Sequence, residues 1–386
     1  MKFRFTDEQR MLQEGAERFL SEHSPIEVAR QAAMLPGGVD LALWARITEE
    51  LGWQAIPVAE SHGGLGLGLV ELVVLLEATG ACLSPTPFYA TALSALALGT
   101  VSESDGQQHL LKSIAEGTIV AFAHTAAQPE WGPSGVAVSA MPSGDRWCLN
   151  GSARFVMCGA VAEYLLVAAL FEDQKIMLFS VPSTHDGLSV SHRIALDQTR
   201  SMADLYLQDV VVDGAALLAV DWAEALANVL DIARIMVAAE QVGCAQRALD
   251  MTVDYVAERV QFGRTIASFQ AVKHKAADMM LKVESARSLL YYAACTADSW
   301  MRGTERRGVL REAAAMVASS AGDTAFFVAG TGIQLHGGVG ITEEYDIQLY
   351  FKRARALEAY LGRPDESREV IAAALLDTSE AGTHAA

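Results

Sequence analysis

Segment 258–270 carries an arginine, an aromatic residue and a glutamine at spacings suited to holding a nucleotide. Arg259 offers a planar, fixed positive charge, and Phe262 follows it at a Phe-Gly turn. The guanidinium group can pair with a pyrophosphate while the phenyl ring packs on an adenine or a flavin. Gln270 ends the segment. A solvated arginine on a helix is the alternative interpretation of these residues.

A second segment, 334–340, places Gln334 shortly before Gly337 and Gly338. Because glycine has no Cβ, the backbone here can approach a ligand closely. A glycine-rich helix cap is the alternative. The sequence contains no GxGxxG and no GKS/T phosphate loop, so a nucleotide must be held by other means.

Asp231 and Arg234 are three residues apart in a stretch of helical spacing, so their side chains share one helix face. Both could therefore contact one ligand. A surface ion pair is the alternative, and such pairs contribute little to stability.

Glu240 is a carboxylate within an apolar, alanine-rich part of the same predicted helix. Burial of an unpaired charge is costly, so this residue needs a functional or a structural reason. It follows Ala233 by seven residues and returns to nearly the same helix face about 10 Å further along. Glu240 is therefore a candidate general base. An ion pair with Arg247 or a subunit contact is the alternative.

The elements that must position these residues follow the order helices, strands, helices. Residues 1–118 are predicted to form an N-terminal helical domain, and residues 119–222 a middle β domain. Residues 223–386 have long helical patterns suited to an antiparallel bundle, with a disordered tail predicted from about residue 377. This order predicts a segregated α+β fold, without a βαβ sheet.

Local signals refine this division. Thr6 to Gln9 has the form of a helix-capping box. Asn150-Gly151 lies between two strand-like runs and is predicted to form a hairpin turn.

Charge and cysteine content exclude several classes of function. The chain has 386 residues and a formal net charge of −18, which disfavours nucleic-acid binding. No apolar run approaches the roughly 18 residues of a membrane span, and the N-terminus does not resemble a secretory signal. The five scattered cysteines lack metal-ligand spacing, which predicts reduced thiols, no metal site and a cytoplasmic protein.

The two glycine-containing segments resemble signatures of the acyl-CoA dehydrogenase family. Segment 259–270 is similar to the family's R-x-x-F-G-x-x-I-x-x-x-Q motif, and segment 334–340 is similar to its Q-x-x-G-G-x-G loop. The resemblance runs from about residue 5 to about residue 375. It implies FAD bound across a subunit boundary, with contacts from Arg259, Phe262, Gln270, Gln334, Gly337 and Gly338.

The same resemblance implies the fold and the partners. The family has an N-terminal α-helical domain, a middle β-sandwich or barrel and a C-terminal antiparallel helical bundle. A homotetramer, or a heterotetramer with a related subunit, is therefore expected. The substrate would be an acyl-CoA, and an electron-transfer flavoprotein or another acceptor would take the electrons.

Further site residues follow from the match. Asp231 and Arg234 stand in the family's L/F-D-x-x-R element, whose charged pair contacts CoA. The flavin loop begins at Thr125, and Phe155 stands where the family has a tryptophan that flanks the flavin. Met157 replaces the hydroxyl residue that meets the flavin N5 edge, and methionine has no donor.

The catalytic base departs from the family pattern. Leu361 replaces the usual glutamate, and the position used by a minority branch is Ala233. Some actinobacterial dehydrogenases of steroid side-chain CoA thioesters resemble this chain in having a glutamate at the position of Glu240. They are heteromers in which one subunit type supplies the base. Glu358 is a weaker candidate.

The sequence therefore predicts FAD-dependent α,β-dehydrogenation of an acyl-CoA, with a bulky or branched acyl group suited to the unusual base position. The alternative is a non-catalytic partner subunit that completes the FAD or CoA site of a sister chain. A third interpretation is an acyl-CoA-binding module without flavin.

Overall fold

The computed structural model describes residues 5–125, 130–172 and 175–380, with side chains up to residue 376. Residues 126–129 of the predicted flavin loop lie outside this part. Residues 377–380, at the start of the tail predicted to be disordered, belong to the last helix, and the rest of the tail is outside the described residues.

Two compact units make up the chain. The first consists of Met1–Ile26, Leu69–Ser84 and Asp231–Ala386, and the second of Glu27–Gly68 and Pro85–Leu230. The domain boundaries near residues 118 and 222 stay a prediction.

Short helices precede the strands in the sequence. The predicted capping box is confirmed, because the Thr6 hydroxyl accepts from the Gln9 backbone N–H and the Gln9 side chain accepts from the Thr6 N–H. The helices are α1 Asp7–His23, α2 Ile26–Ala32, α3 Leu41–Arg46, α4 Leu69–Ala81, α5 Phe88–Leu98 and α6 Asp105–Ala115.

The middle segment forms an eight-stranded, mostly antiparallel sheet in the second unit. The strand order is β6-β7-β3-β2-β4-β5-β8, and β1 pairs in parallel with β4. The strands are β1 Val120–Ala123, β2 Ser139–Ser143, β3 Arg146–Met157, β4 Tyr164–Phe171, β5 Lys175–Pro182, β6 Leu188–His192, β7 Met202–Asp213 and β8 Leu217–Ala219.

The prediction of a hairpin turn at Asn150-Gly151 is wrong. Both residues lie inside strand β3, and the turn that joins β2 to β3 is at Gly144-Asp145. Asn150 accepts from the backbone N–H of Asp209 through its side chain, at a point where the pairing of β3 with β7 shifts register. Gly151 has φ +135°, and a Cβ there would lie 2.4 Å from the Ala137 carbonyl. The Asn-Gly pair thus forms a β-bulge.

Long helices dominate the C-terminal segment. Together with the preceding helices and sheet they confirm the predicted segregated α+β fold. A two-stranded hairpin, β9 Val260–Gln261 and β10 Arg264–Thr265, separates the first two of them. The helices are α7 Ala223–Glu258, α8 Gln270–Met301, α9 Arg307–His336, α10 Ile347–Ala359 and α11 Pro364–Glu380.

Helix α9, with the turn that follows it, spans Arg307–Ile341 and is long and apolar enough to cross a membrane by length and composition alone. Inside the protein, 61% of its most apolar window is buried. Such burial is typical of a core helix in a helical bundle.

A carboxylate on helix α8 caps the start of helix α4. The Asp298 side chain is buried and accepts from the backbone N–H groups of Leu69 at 2.5 Å and Val70 at 3.3 Å. The first N–H groups of a helix have no partner within it, so a side-chain acceptor stabilises the helix start.

We expect Asp298→Ala to lower the free energy of unfolding by about 1–2 kcal/mol, because it leaves two buried N–H groups without an acceptor. Asp298→Asn keeps one acceptor oxygen and should retain most of the stability. Chemical denaturation of the two variants measures the difference. Equal stability of the alanine variant and the wild type would show that the cap is not needed.

Candidate functional site

The pair predicted to contact CoA forms at the expected place on helix α7. Arg234 Nη1 donates to Asp231 Oδ1 at 2.7 Å, and Arg234 Nε donates to the backbone carbonyl of Leu361 at 3.0 Å. Asp231 is 7% exposed. The second contact ties α7 to the segment between α10 and α11, 127 residues further along the chain.

Around this pair lies a cleft of about 120 Å³. Burial raises the pKa of the Asp231 carboxyl, and this effect is opposed by the positive charges of Arg234, Arg311 and Arg307. The cleft is lined by Asp231, Arg234, Arg311, Ala315, Leu361, Gly362, Glu366, Ser367 and Val370. It combines fixed positive charges with a small, partly apolar volume, which suits a polar segment of an extended ligand.

The two positions at which the family carries its catalytic glutamate hold Leu361 and Ala233 in this chain. Neither side chain can accept a proton. Leu361 is 1% exposed and has φ +65°, a conformation that costs energy for a residue with a Cβ. Ala233 is fully buried.

Glu240 is outside this cleft. It follows Asp231 by nine residues, about 2.5 helical turns, so it lies on the opposite side of α7. Its backbone packs against helix α4, where a Cβ on Gly80 would lie 2.3 Å from the Glu240 carbonyl oxygen. Glu240 is 5% exposed and takes part in an interaction within the protein. The structure does not bring Glu240 together with Asp231 and Arg234.

The segment predicted to hold a nucleotide lies on the surface. Arg259 and Gln270 are exposed, and the Phe262 side chain is 91% exposed. Phe262 sits at the tip of the β9–β10 hairpin with φ +52°, and Gly263 follows with φ +74°. A bulky ring held outward in an unfavourable conformation indicates a surface that another molecule covers.

The second glycine segment ends helix α9. Gln334 is exposed, and Gly337 has φ +68°, a conformation that favours glycine. A Cβ on Gly338 would meet no atom within 4 Å, so nothing inside the described chain requires glycine there. Open space beside this backbone fits the close approach of a ligand.

His336 supports this turn from the inside. Its Nδ1 lies 2.7 Å from the Gly332 carbonyl, and its ring stacks on Tyr255 at 4.2 Å. The Tyr255 hydroxyl donates to the His336 carbonyl at 3.2 Å. Burial lowers the pKa of His336, so the ring is neutral near pH 7.

The residues of the middle sheet predicted to face the flavin have partners of their own. The Arg193 guanidinium lies 4.7 Å from the centre of the Phe155 ring and is paired with Asp204 at 2.9 Å. Phe155 has φ +57°, at a point where the pairing of β3 with β7 shifts register. A cation therefore covers one face of this ring.

Met157 and Thr125, the other two middle-segment residues that the family match places near the flavin, also contact residues of this chain. Arg200 Nη1 donates to Met157 Sδ at 3.6 Å. The Thr125 hydroxyl is buried and donates to the Glu130 carbonyl at 2.9 Å. Arginine side chains thus contact both positions that the match places beside the flavin, Arg200 at Met157 and Arg193 at Phe155.

Sequence reasoning missed three of these contributors: Arg193, Arg311 and Ser367. Each of these residues comes close to the site only through tertiary packing. The sequence contains no local motif or spacing that predicts its position there. In the part of the chain that the structure describes, no cluster of His, Cys, Asp and Glu could hold a metal ion.

Comparison with known proteins identifies the family to which this chain is similar. Residues 6–118 match the model of the acyl-CoA dehydrogenase N-terminal domain, and residues 222–376 match that of the acyl-CoA dehydrogenase C-terminal domain. A curated relative is the acyl-CoA dehydrogenase IpdE2 of Mycolicibacterium smegmatis, 32% identical over 94% of this chain and 96% of that protein.

Two solved structures are similar over nearly their whole length. Butyryl-CoA dehydrogenase from Megasphaera elsdenii has a TM-score of 0.88 and 26% identity, covering 97% of this chain and 100% of that one. The ChsE4–ChsE5 complex from Mycobacterium tuberculosis has a TM-score of 0.87 and 27% identity, covering 98% and 99%.

Proposed function

Because this chain belongs to the acyl-CoA dehydrogenase family, whose cofactor is FAD, we propose that it serves in the α,β-dehydrogenation of an acyl-CoA. The observation that supports this most is the Asp231–Arg234 pair in its cleft, tied to the carbonyl of Leu361. A CoA thioester bound there would lie along helix α7.

The chemistry divides between cofactor and protein. FAD supplies the redox step by accepting a hydride from the β-carbon. The protein must orient the thioester, exclude water and remove the α-proton with a carboxylate. Arg259 and Gln334 would hold the cofactor, and the open backbone at Gly337 and Gly338 would let it approach.

For the base, we propose Glu240 in the first instance. It is the carboxylate of helix α7 that shares the face of Ala233, and it lies roughly 14 Å along the helix axis from Asp231. The pantetheine arm is long enough to span this axial distance, and the acyl group would have to pass to the other side of α7 to reach Glu240. A base this far along the helix suits a bulky or branched acyl group.

A second candidate is a partner subunit that supplies no base. Four observations favour it: Leu361 and Ala233 stand at the two usual base positions, Arg193 lies over Phe155, and Glu240 is buried outside the cleft. The similar ChsE4–ChsE5 structure is a complex of two different chains. In this version the chain contributes CoA or FAD contacts to a sister subunit that carries the base.

Either version implies an assembly. We propose a homotetramer, or a heterotetramer with a related chain, with an electron-transfer flavoprotein or another acceptor downstream. Exposed apolar side chains on the C-terminal helices, including Met280, Leu281 and Phe327, offer surface for association.

The CoA site can be tested through its pH dependence. The pKa of Asp231 is raised by burial, so the carboxyl protonates at a higher pH than an ordinary aspartate. Protonation removes the charge that orients Arg234. Binding of a CoA thioester should therefore be constant near neutrality and weaken as the pH falls through this raised pKa.

The Asp231→Asn variant should bind the acyl-CoA more weakly than the wild type at pH 7. Its affinity should not fall further as the pH is lowered. Isothermal titration calorimetry of both proteins with one acyl-CoA from pH 7 downward measures this. An identical acidic limb in the asparagine variant would show that another group causes it. No binding of any CoA thioester, alone or with a sister chain, would contradict the proposed function.

A further inference from the structure

We propose that Tyr255 and His336 are positioning residues for the cofactor, and that their contact sets the separation between the two segments that hold FAD. This inference rests on the proposed function, in which Arg259 and the turn at Gly337 and Gly338 contact FAD. It deepens that function by naming the side chains that keep the two contacts at a fixed distance from each other.

Helices α7 and α9 approach each other closely shortly before they end. A Cβ on Gly332, in α9, would lie 2.8 Å from the Thr252 hydroxyl oxygen, in α7, so the crossing leaves little room for a side chain. Tyr255 lies about one turn beyond Thr252, and His336 lies about one turn beyond Gly332. The close approach therefore brings Tyr255 and His336 together in the last turns of the two helices.

Tyr255 and His336 contact each other in two ways. Their rings stack with centres 4.2 Å apart, and the Tyr255 hydroxyl donates to the His336 carbonyl at 3.2 Å. The His336 Nδ1 lies 2.7 Å from the Gly332 carbonyl, which holds the imidazole ring against its own helix. The Tyr345 ring stands edge-on to both rings, with its centre 6.3 Å from each. These contacts fix the pair in one arrangement.

Each member of the pair adjoins one of the segments that contact FAD. The Tyr255 carbonyl accepts from the Arg259 backbone N–H at 2.9 Å, which continues the helical hydrogen bonding as far as Arg259. His336 directly precedes Gly337, and a Cβ on Gly340 would lie 2.9 Å from the His336 Cβ, so the turn wraps around His336. The pair thus joins two stretches of chain that are 81 residues apart.

A dinucleotide that spans both segments is sensitive to the distance between them. The Arg259 side chain is exposed, and open space lies beside Gly338, so the contact groups themselves are not packed against the chain. Supporting side chains that hold such groups in place lower the cost of ordering them when the ligand binds. Loss of the pair should therefore leave each contact chemically intact and weaken FAD binding by letting their separation vary.

The experiment measures FAD affinity by flavin fluorescence on the full-length protein, in the assembly that binds FAD, after removal of bound flavin. Tyr255→Leu should weaken FAD binding by roughly three- to tenfold, the factor that corresponds to one aromatic pair or one hydrogen bond. Tyr255→Phe keeps the ring and should lose about threefold or less. Tyr292→Leu makes the same change in a half-buried tyrosine of α8, 22 residues beyond Gln270, and should bind FAD like the wild type.

A double-mutant cycle with Arg259→Ala separates positioning from general stabilisation. If the pair acts by placing Arg259, the combined loss in Tyr255→Leu/Arg259→Ala should be smaller than the product of the two separate losses. If Tyr255→Leu does not fold, the same cycle with Tyr255→Phe decides.

Three results would overturn the inference: separate losses that multiply in full, FAD affinity in Tyr255→Leu equal to that of the wild type, or an equal loss in Tyr292→Leu. A wild type that binds no FAD, alone or with its sister chain, would instead overturn the proposed function.

Discussion

Glu240→Gln should lower turnover of the acyl-CoA by at least about 100-fold in the assembled, FAD-loaded enzyme. Glutamine keeps the size and hydrogen-bonding capacity of the side chain but cannot remove the α-proton. The FAD content should not change, because the proposed FAD contacts at Arg259 and Gln334 lie elsewhere on the chain. Rapid-mixing measurement of flavin reduction separates the chemical step from substrate binding.

Glu358→Gln is the matched control. Glu358 is a half-buried carboxylate of helix α10 that pairs with Arg355, and it is the weaker candidate for the base. Undiminished flavin reduction in Glu240→Gln, together with lower thermal stability, would make Glu240 a structural residue at the α4–α7 crossing. Glu358 or a carboxylate of the sister chain would then be the base to test.

Arg259→Ala should weaken FAD binding by roughly 10- to 100-fold, because a charge-assisted contact to a pyrophosphate is worth about 1.5–3 kcal/mol. The Arg259 side chain is exposed, so its loss should leave the folded chain intact. The measurement is the ratio of flavin to protein absorbance after gel filtration, followed by titration with added FAD.

Arg264→Ala is the control within the same hairpin. The Arg264 guanidinium lies 4.1 Å from the centre of the Phe269 ring, so it has a structural contact of its own. Equal loss of FAD in both variants would mean that the hairpin's overall charge matters, and not a contact made by Arg259. Unchanged FAD retention in Arg259→Ala would remove the nucleotide-binding role assigned to segment 258–270.

Features of the fold set by short-range spacing were predictable from the sequence. The capping box at Thr6 and the Asp231–Arg234 pair both depend on residues three apart, and both form as expected. Asn150-Gly151 shows the limit of such signals. The turn-forming dipeptide lies within a long strand, where Gly151 adopts φ +135° at the register shift against β7.

The parts of the site that the sequence did not predict depend on contacts between distant elements. Arg234 reaches the carbonyl of Leu361 across 127 residues, and Arg311 and Ser367 come from two further helices. The position of Glu240 illustrates the same limit. Helical periodicity placed it on the face of Ala233, but only the fold shows that helix α4 packs against that position and that the cleft lies on the other side.

An anaerobic titration of the purified protein, alone and with its sister chain, tests the central claim most directly. The account predicts the absorption bands of bound flavin and their bleaching when a bulky acyl-CoA is added, because the α,β-dehydrogenation transfers a hydride to FAD. A colourless protein that fails to take up added FAD in either form would contradict it, as would bound flavin that no acyl-CoA reduces or perturbs.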